Sequence, residues 1–383
     1  MASFIIPREI YFGPGSLENL TKLKARKAVI VTGGSSMKKC GFLEKTIQYL
    51  KKAGIPSAIF DGVEPDPSLE TIIKGVSIFK AEQPDLILGL GGCSAIDAAK
   101  AMWIFYEYPE TTFEEIVPPF KIKPLRTKAK FVAIPSTSGT GTEVTCVSVI
   151  TDRKKGVKYP LVSYEICPDI AIVDGELCVS MPPHVTAHTG LDALAHDCEA
   201  FVSTLASSYS DALAAESVKL IFRYLPVAYR EPQNINARQS MHNASCLAGM
   251  SFTNAFLGIV HSMAHQLGGM FGIPHGCANA LLLPNVIRFN SRATDKYTQL
   301  AADIGEKSTA AFVDAVEKLR ASTGIVRSIK GWGVREDLWR EKLEGITKNA
   351  ILDPCTGSNP RKPGHEDIRK IYECCYQGQA VDF

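Results

Sequence analysis

The chain has 383 residues, enough for two or three domains that each bury a core of their own. Hydrophobic residues make up 45% and charged residues 21%, which excludes a disordered or low-complexity chain. The 42 Lys and Arg stand against 40 Asp and Glu, a formal balance of +2 with no long run of one sign, so no nucleic-acid or anionic-membrane partner is expected.

Met1–Phe12 lacks the basic segment, long apolar core and small-residue cleavage site of a signal peptide. No apolar run reaches the roughly 18 residues of a membrane span. The expected compartment is the cytoplasm. Eleven cysteines with no C-x-x-C pair argue against a disulfide framework or a zinc ribbon, and the neighbours Cys374 and Cys375 read as packing residues.

In chain order, Ala28–Thr32 reads as a buried strand followed by Gly33, Gly34, Ser35 and Ser36. Ser57–Phe60 is a second strand, and Asp85–Leu90 a third that runs into Gly91, Gly92, Cys93 and Ser94. Phe131–Ile134 and Ile170–Val173 complete the set. Strands alternating with helical stretches predict a parallel sheet covered by helices over residues 1–178. Beyond Ser180 the spacing turns helical, as in Leu205–Tyr229 and Thr309–Ala321, which predicts an all-α domain over 179–383. Asp174–Pro183 is the expected hinge, with Ser180 capping a helix whose first turn holds Pro182 and Pro183. A cleft between two such domains is the expected place for a site.

Two of the strands end in turns suited to phosphate, because a strand entering a helix through glycine presents backbone N–H groups and the helix dipole to an anion. One is Gly91–Lys100 (GGCSAIDAAK). The other is Pro135–Glu143 (PSTSGTGTE), with five hydroxyls and two glycines in nine residues. Two such turns suggest a dinucleotide, although neither matches G-x-G-x-x-G.

Seven of the eight histidines, all but His365, lie between positions 184 and 275. Asp192 and His196 are four apart on one helical face, His261 and His265 repeat that spacing, and His275 follows in an Ile-Pro-His-Gly loop. Carboxylate and imidazole donors suit Fe(II), Zn(II) or Co(II) with a coordination position left open. His184 and His188 are also four apart, so spacing alone leaves the ligand set undecided.

Pro182–Ser203 (PPHVTAHTGLDALAHDCEAFVS) resembles the signature of the iron-containing (group III) alcohol dehydrogenases. GGCS followed by Asp97, the run STSGTGTE, the block FTNAFLGIVHSMAHQLGGMFGIPHG and DPCTGSNPR (Asp353–Arg361) resemble further motifs of that family, in its order, from residue 91 to 361. The resemblance implies a Rossmann-like α/β domain binding a dinucleotide and a helical metal-binding domain, the dehydroquinate synthase-like architecture. It implies NAD(P)H and one divalent metal, Fe2+ first and Zn2+ second, held by Asp192, His196, His261 and His275. His265 is then the residue that relays a proton, with His184 and His188 outside the ligand set. Implied coenzyme contacts are Gly91, Gly92, Ser94 and Asp97 at the pyrophosphate turn, Thr137, Ser138 and Thr142 toward the nicotinamide, and Lys158 near a ribose. Phe252 and Cys355 match positions that line the substrate pocket, or else pack the core. Gly33 stands where many NAD-preferring relatives carry an aspartate that repels a 2′-phosphate, and with Gly34, Ser35 and Ser36 there and Lys38 and Lys39 close behind, NADP(H) is admitted. The implied reaction is reversible reduction of a short-chain aldehyde, polar or anionic ones such as lactaldehyde or sulfoacetaldehyde included, to the primary alcohol, in a homodimer or larger homo-oligomer. The alternatives are a glycerol-type polyol dehydrogenase, a dehydroquinate synthase, a metal-dependent hydrolase or a nucleotide-binding regulatory protein with a structural metal; the last two leave the paired turns or the open metal position without a use.

Overall fold

A computed structural model describes residues 3–383. Residues group into two compact units, one of Ile5–Thr137 and Gly141–Ser180, the other containing Ser138–Thr140 and Met181–Phe383.

The first unit is built on eight strands: β1 (Glu9–Phe12), β2 (Ala28–Gly33), β3 (Ser57–Val63), β4 (Leu86–Gly91), β5 (Lys130–Pro135), β6 (Val147–Asp152), β7 (Val157–Val162) and β8 (Ile170–Val173). Six form a parallel sheet in the order β1-β8-β5-β4-β2-β3. Apolar side chains of β2, β4 and β5 are buried on both faces, which is why those strands read as unbroken hydrophobic runs. Helices Leu69–Glu82 and Cys93–Glu107 share one core with Val29, Ile87 and Phe131, while Leu17, Leu43 and Leu50 join Ile30, Leu88 and Ile134 in another.

All five expected strands form, with ends shifted by up to three residues. The sequence reading omitted β1 and the antiparallel β6–β7 hairpin, which pairs Val147 with Val162 through Asp152 with Val157. β1 is only four residues long, and β7 alternates weakly because its outer positions are exposed and it carries Pro160.

The second unit is helical, with one large core and a smaller buried cluster of Ala200, Phe252 and Ala255. Ser180 does not cap its first helix. That helix is Pro183–Val202, and its N-cap is Pro182 at φ −59°, ψ 151°. A residue before proline is pushed into extended geometry, so the helix cannot start earlier than Pro183. The next helix is Ser208–Arg230 rather than Leu205–Tyr229, because Ser207 accepts a hydrogen bond from the Ser210 amide and fixes the start. Helices Ile235–Ala255, Ile259–Phe271 and His275–Asn290 follow. Among the described residues no single helix is long and apolar enough to cross a membrane, and no two cysteines are bridged.

Candidate functional site

In the helical unit, Pro183–Val202 carries Asp192 and His196 one turn apart, Ile259–Phe271 carries His261 and His265, and His275 is the first residue of its helix. His261 Nε2 lies 3.9 Å and His275 Nε2 3.5 Å from Asp192 Oδ1. One donor atom from each of the three falls within 4.8 Å of the others. Gly276 makes this approach feasible: a Cβ there would sit 2.1 Å from the His188 carbonyl oxygen, so only glycine lets the His275 turn lie against the Asp192 helix. His196 stands beside the trio, its ring stacked on His261 at 4.5 Å between centroids and on Phe252 at 4.4 Å. Its Nδ1 is buried and has no hydrogen-bond partner among the described residues.

This set fits a divalent cation. Burial first, then the neighbouring His196, His275 and His265, hold His261 well below the usual imidazole range, and burial also lowers His196. Neutral imidazole is the ligating form. Glu199 lies behind His261, receiving its Nδ1 and the Val260 amide at 2.6 Å. Burial raises the Glu199 carboxyl, while the amides of Val260, Gly258 and His261 work the other way. A carboxylate on Nδ1 leaves Nε2 to face the trio, the arrangement that orients metal-bound histidine. Asn279, one turn after His275, places its Nδ2 2.7 Å from Asp192 Oδ1, 3.1 Å from His261 Nε2 and 3.3 Å from His275 Nε2.

His265 adjoins this cluster. Its ring stacks on His275 at 5.6 Å and 14°, it is 41% exposed, and its Nδ1 is 2.8 Å from Asp353 Oδ2. Asp353 also accepts the Cys355 amide at 3.0 Å and caps the short 3-10 segment Pro354–Ser358. Cys355 therefore sits beside the His265 pair, and Phe252 beside His196. His184 and His188 face each other at 6.1 Å, and His188 packs on Trp332, apart from the trio.

In the α/β unit, β4 ends at Gly91 with φ 138°, and Gly92 is the N-cap of Cys93–Glu107 with no side chain bonded to that helix start, a geometry suited to an anion. Thr137 lies next to Gly92. Asp97 bonds to Cys93 of that turn and also reaches the hydroxyl-rich loop. It is buried, with Oδ1 accepting Thr142 Oγ1 at 2.7 Å and Oδ2 the Val149 amide at 2.8 Å. Lys100, one turn on, gives its ammonium hydrogens to the carbonyls of Thr142, Thr145 and Val147 at 2.8, 2.8 and 2.9 Å. Asp97 and Lys100 thus brace the hydroxyl-rich loop from inside. Ser138 belongs with the helical unit, its Oγ 3.0 Å from His242 Nδ1. Lys158 pairs with Asp66 at 2.7 Å, and the Asp66 amide donates to Ser94 Oγ at 3.3 Å.

At the end of β2, a Cβ on Gly33 would sit 2.3 Å from the Val63 carbonyl oxygen, so this backbone accepts no aspartate there. Ser36 opens the short helix Ser36–Lys39, which buries Met37 and exposes Lys38 and Lys39.

Sequence reasoning missed Glu199, Asn279, Asp353 and Lys100. Three had a signal: Glu199 lies seven residues after Asp192, Asn279 four after His275 and Lys100 three after Asp97, each on the same helical face. Asp353 is 88 residues from His265, and no spacing rule links them.

The model of the iron-containing alcohol dehydrogenase family matches residues 7–175, and that of the C-terminal part of the Fe-containing alcohol dehydrogenase family matches 186–376. Among curated proteins, the chain is similar to the NADPH-dependent butanol dehydrogenase of Clostridium saccharobutylicum, 50% identical over 100% of both chains. Among solved structures it is similar to the iron-containing alcohol dehydrogenase of Thermococcus thioreducens, at 35% identity and TM-score 0.92 over 98% of this chain and 100% of that one. It is also similar to the sulfoacetaldehyde reductase of Bifidobacterium kashiwanohense, solved in complex with NAD+, at 29% identity and TM-score 0.89 over 98% of each chain. The chain belongs to the iron-containing alcohol dehydrogenase family, and it is a metal- and NAD(P)-dependent alcohol dehydrogenase and aldehyde reductase.

Proposed function

We propose that the chain reduces a short, uncharged aldehyde to the primary alcohol with NADPH, reversibly, in the cytoplasm and as a homo-oligomer. The observation that carries the reading is the convergence of Asp192, His261 and His275 donor atoms beside His265. Support for NADPH comes from the butanol dehydrogenase of similar sequence and from Gly33, where an aspartate has no room. Residues 1–178 then form the coenzyme domain and 179–383 the metal domain.

When bound, the cation supplies Lewis-acid polarisation of the substrate oxygen, and the nicotinamide supplies hydride. Asp192, His196, His261 and His275 hold the cation, and Glu199 keeps the His261 proton on Nδ1. Asp353 does the same for His265, which leaves His265 Nε2 to exchange the proton of the alcohol. Gly91, Gly92 and Ser94 take the pyrophosphate, and Lys158 lies toward a ribose. Asp97 and Lys100 act indirectly, by fixing the backbone around Thr142. Phe252 and Cys355 border the reacting groups and shape what enters.

The test is anaerobic turnover of neutral and anionic short aldehydes with NADPH and NADH, on metal-free protein reconstituted with Fe(II) or Zn(II). Butanal or propanal with NADPH is expected to be the best pair. Preference for a sulfonated aldehyde would replace the substrate assignment, and no turnover by fully loaded protein would overturn the reading.

A further inference from the structure

We propose that His265, Asp353 and Cys355 form a second cation site, separate from the Asp192 cluster, which takes Zn(II) or another thiophilic divalent ion and inhibits the enzyme. The binding half stands on geometry; the inhibitory half rests on the proton-exchange role proposed for His265.

An imidazole nitrogen, a carboxylate oxygen and the Cys355 sulfur lie within 4.8 Å of one another. A tetrahedral zinc with bonds of about 2.0 Å to nitrogen or oxygen and about 2.3 Å to sulfur needs donors about 3.3–3.5 Å apart, so the sulfur has at most about 1.3 Å to close and the His265–Asp353 pair about 0.5 Å to open. The backbone already sets two of the three, because Asp353 Oδ1 accepts the Cys355 amide at 3.0 Å across the start of the Pro354–Ser358 turn. His265 is tied to the same carboxylate at 2.8 Å and is 41% exposed, which gives an ion a way in.

The donor sets differ in kind. The Asp192 cluster offers only nitrogen and oxygen, the set suited to Fe(II), whereas a thiolate selects zinc, cadmium or cobalt over iron. Binding replaces the Cys355 thiol proton, released to solvent, and moves the His265 proton from Nδ1 to Nε2 as Nδ1 takes up the ion. The ring then has no lone pair on Nε2 to receive a proton from the alcohol. His265 stacks on His275 at 5.6 Å, so two cations would repel, and the second is expected to bind more weakly than the first.

The test is anaerobic Co(II) titration of the whole protein, wild type and Cys355→Ser, read by near-ultraviolet absorption, with Zn(II) inhibition of aldehyde reduction in parallel. A sulfur-to-cobalt charge-transfer band is expected with the second equivalent of wild type only. Zn(II) beyond one equivalent is expected to inhibit wild type at concentrations at least tenfold below those needed for Cys355→Ser, each rate normalised to its own value at one equivalent. No thiolate band, or the same band in Cys355→Ser, overturns the site. A Cys355-dependent band without inhibition overturns the inhibitory half and counts against His265 as the proton-exchanging group. Because the band reports a sulfur ligand directly, a weakly active variant does not blur the result.

Discussion

The two units bury polar groups for opposite ends. Around Asp97 and Lys100 each charged atom faces a hydrogen-bonding partner of its own unit, and the network closes on itself. Around Asp192 the donors face one another, with Asn279 Nδ2 a hydrogen donor they share, and His196 Nδ1 has no hydrogen-bond partner among the described residues. Buried charge that is satisfied internally fixes a backbone; buried lone pairs that converge are built for a cation. Mutations in the two places should therefore fail in different ways.

The largest effect is expected from His261→Ala, which removes a donor and the partner of Glu199. Metal content, measured by elemental analysis, should fall from one per chain to near zero, and turnover with it. Next comes His265→Ala, which should keep its metal while kcat drops about 10²–10⁴-fold, the usual worth of a general acid or base. Equal loss of metal would instead make His265 a ligand. Glu199→Gln should weaken metal affinity about 10–100-fold in a chelator competition, as loss of an outer carboxylate does.

The coenzyme unit supplies the contrast. Lys100→Met leaves the buried carbonyls of Thr142, Thr145 and Val147 without their donor, and denaturant unfolding should show a loss of about 3–5 kcal/mol. Metal content should be unchanged and the effect on turnover the smallest of the four, appearing mainly as a raised KM for the coenzyme. A Lys100→Met enzyme that lost its metal would break the distinction between the two networks.

Much of the fold was legible because β2, β4 and β5 are buried on both faces and carry unbroken apolar runs. The β6–β7 hairpin was not, since half of β7 is exposed and its pattern is mixed. In the site, Asp192, His196, His261 and His265 were visible through helical periodicity. The same periodicity made His184 and His188 equally good candidates. What separates them is the close packing at Gly276, which brings His275 to Asp192 and leaves His188 against Trp332. Asp97 shows the converse: its motif was legible, but the bracing of the loop around Thr142 by its buried carboxylate was not. Asp353 reaches His265 only through the folding of the C-terminal segment.

The central claim is that one divalent cation in the Asp192, His196, His261 and His275 set is required for NADPH-linked reduction of a short aldehyde. The most direct measurement is NADPH oxidation by butanal as metal-free protein is titrated anaerobically with Fe(II), with bound metal determined at each point. The account predicts no activity without metal and a linear rise that ends at one ion per chain. Full activity in protein shown to be metal-free would contradict it.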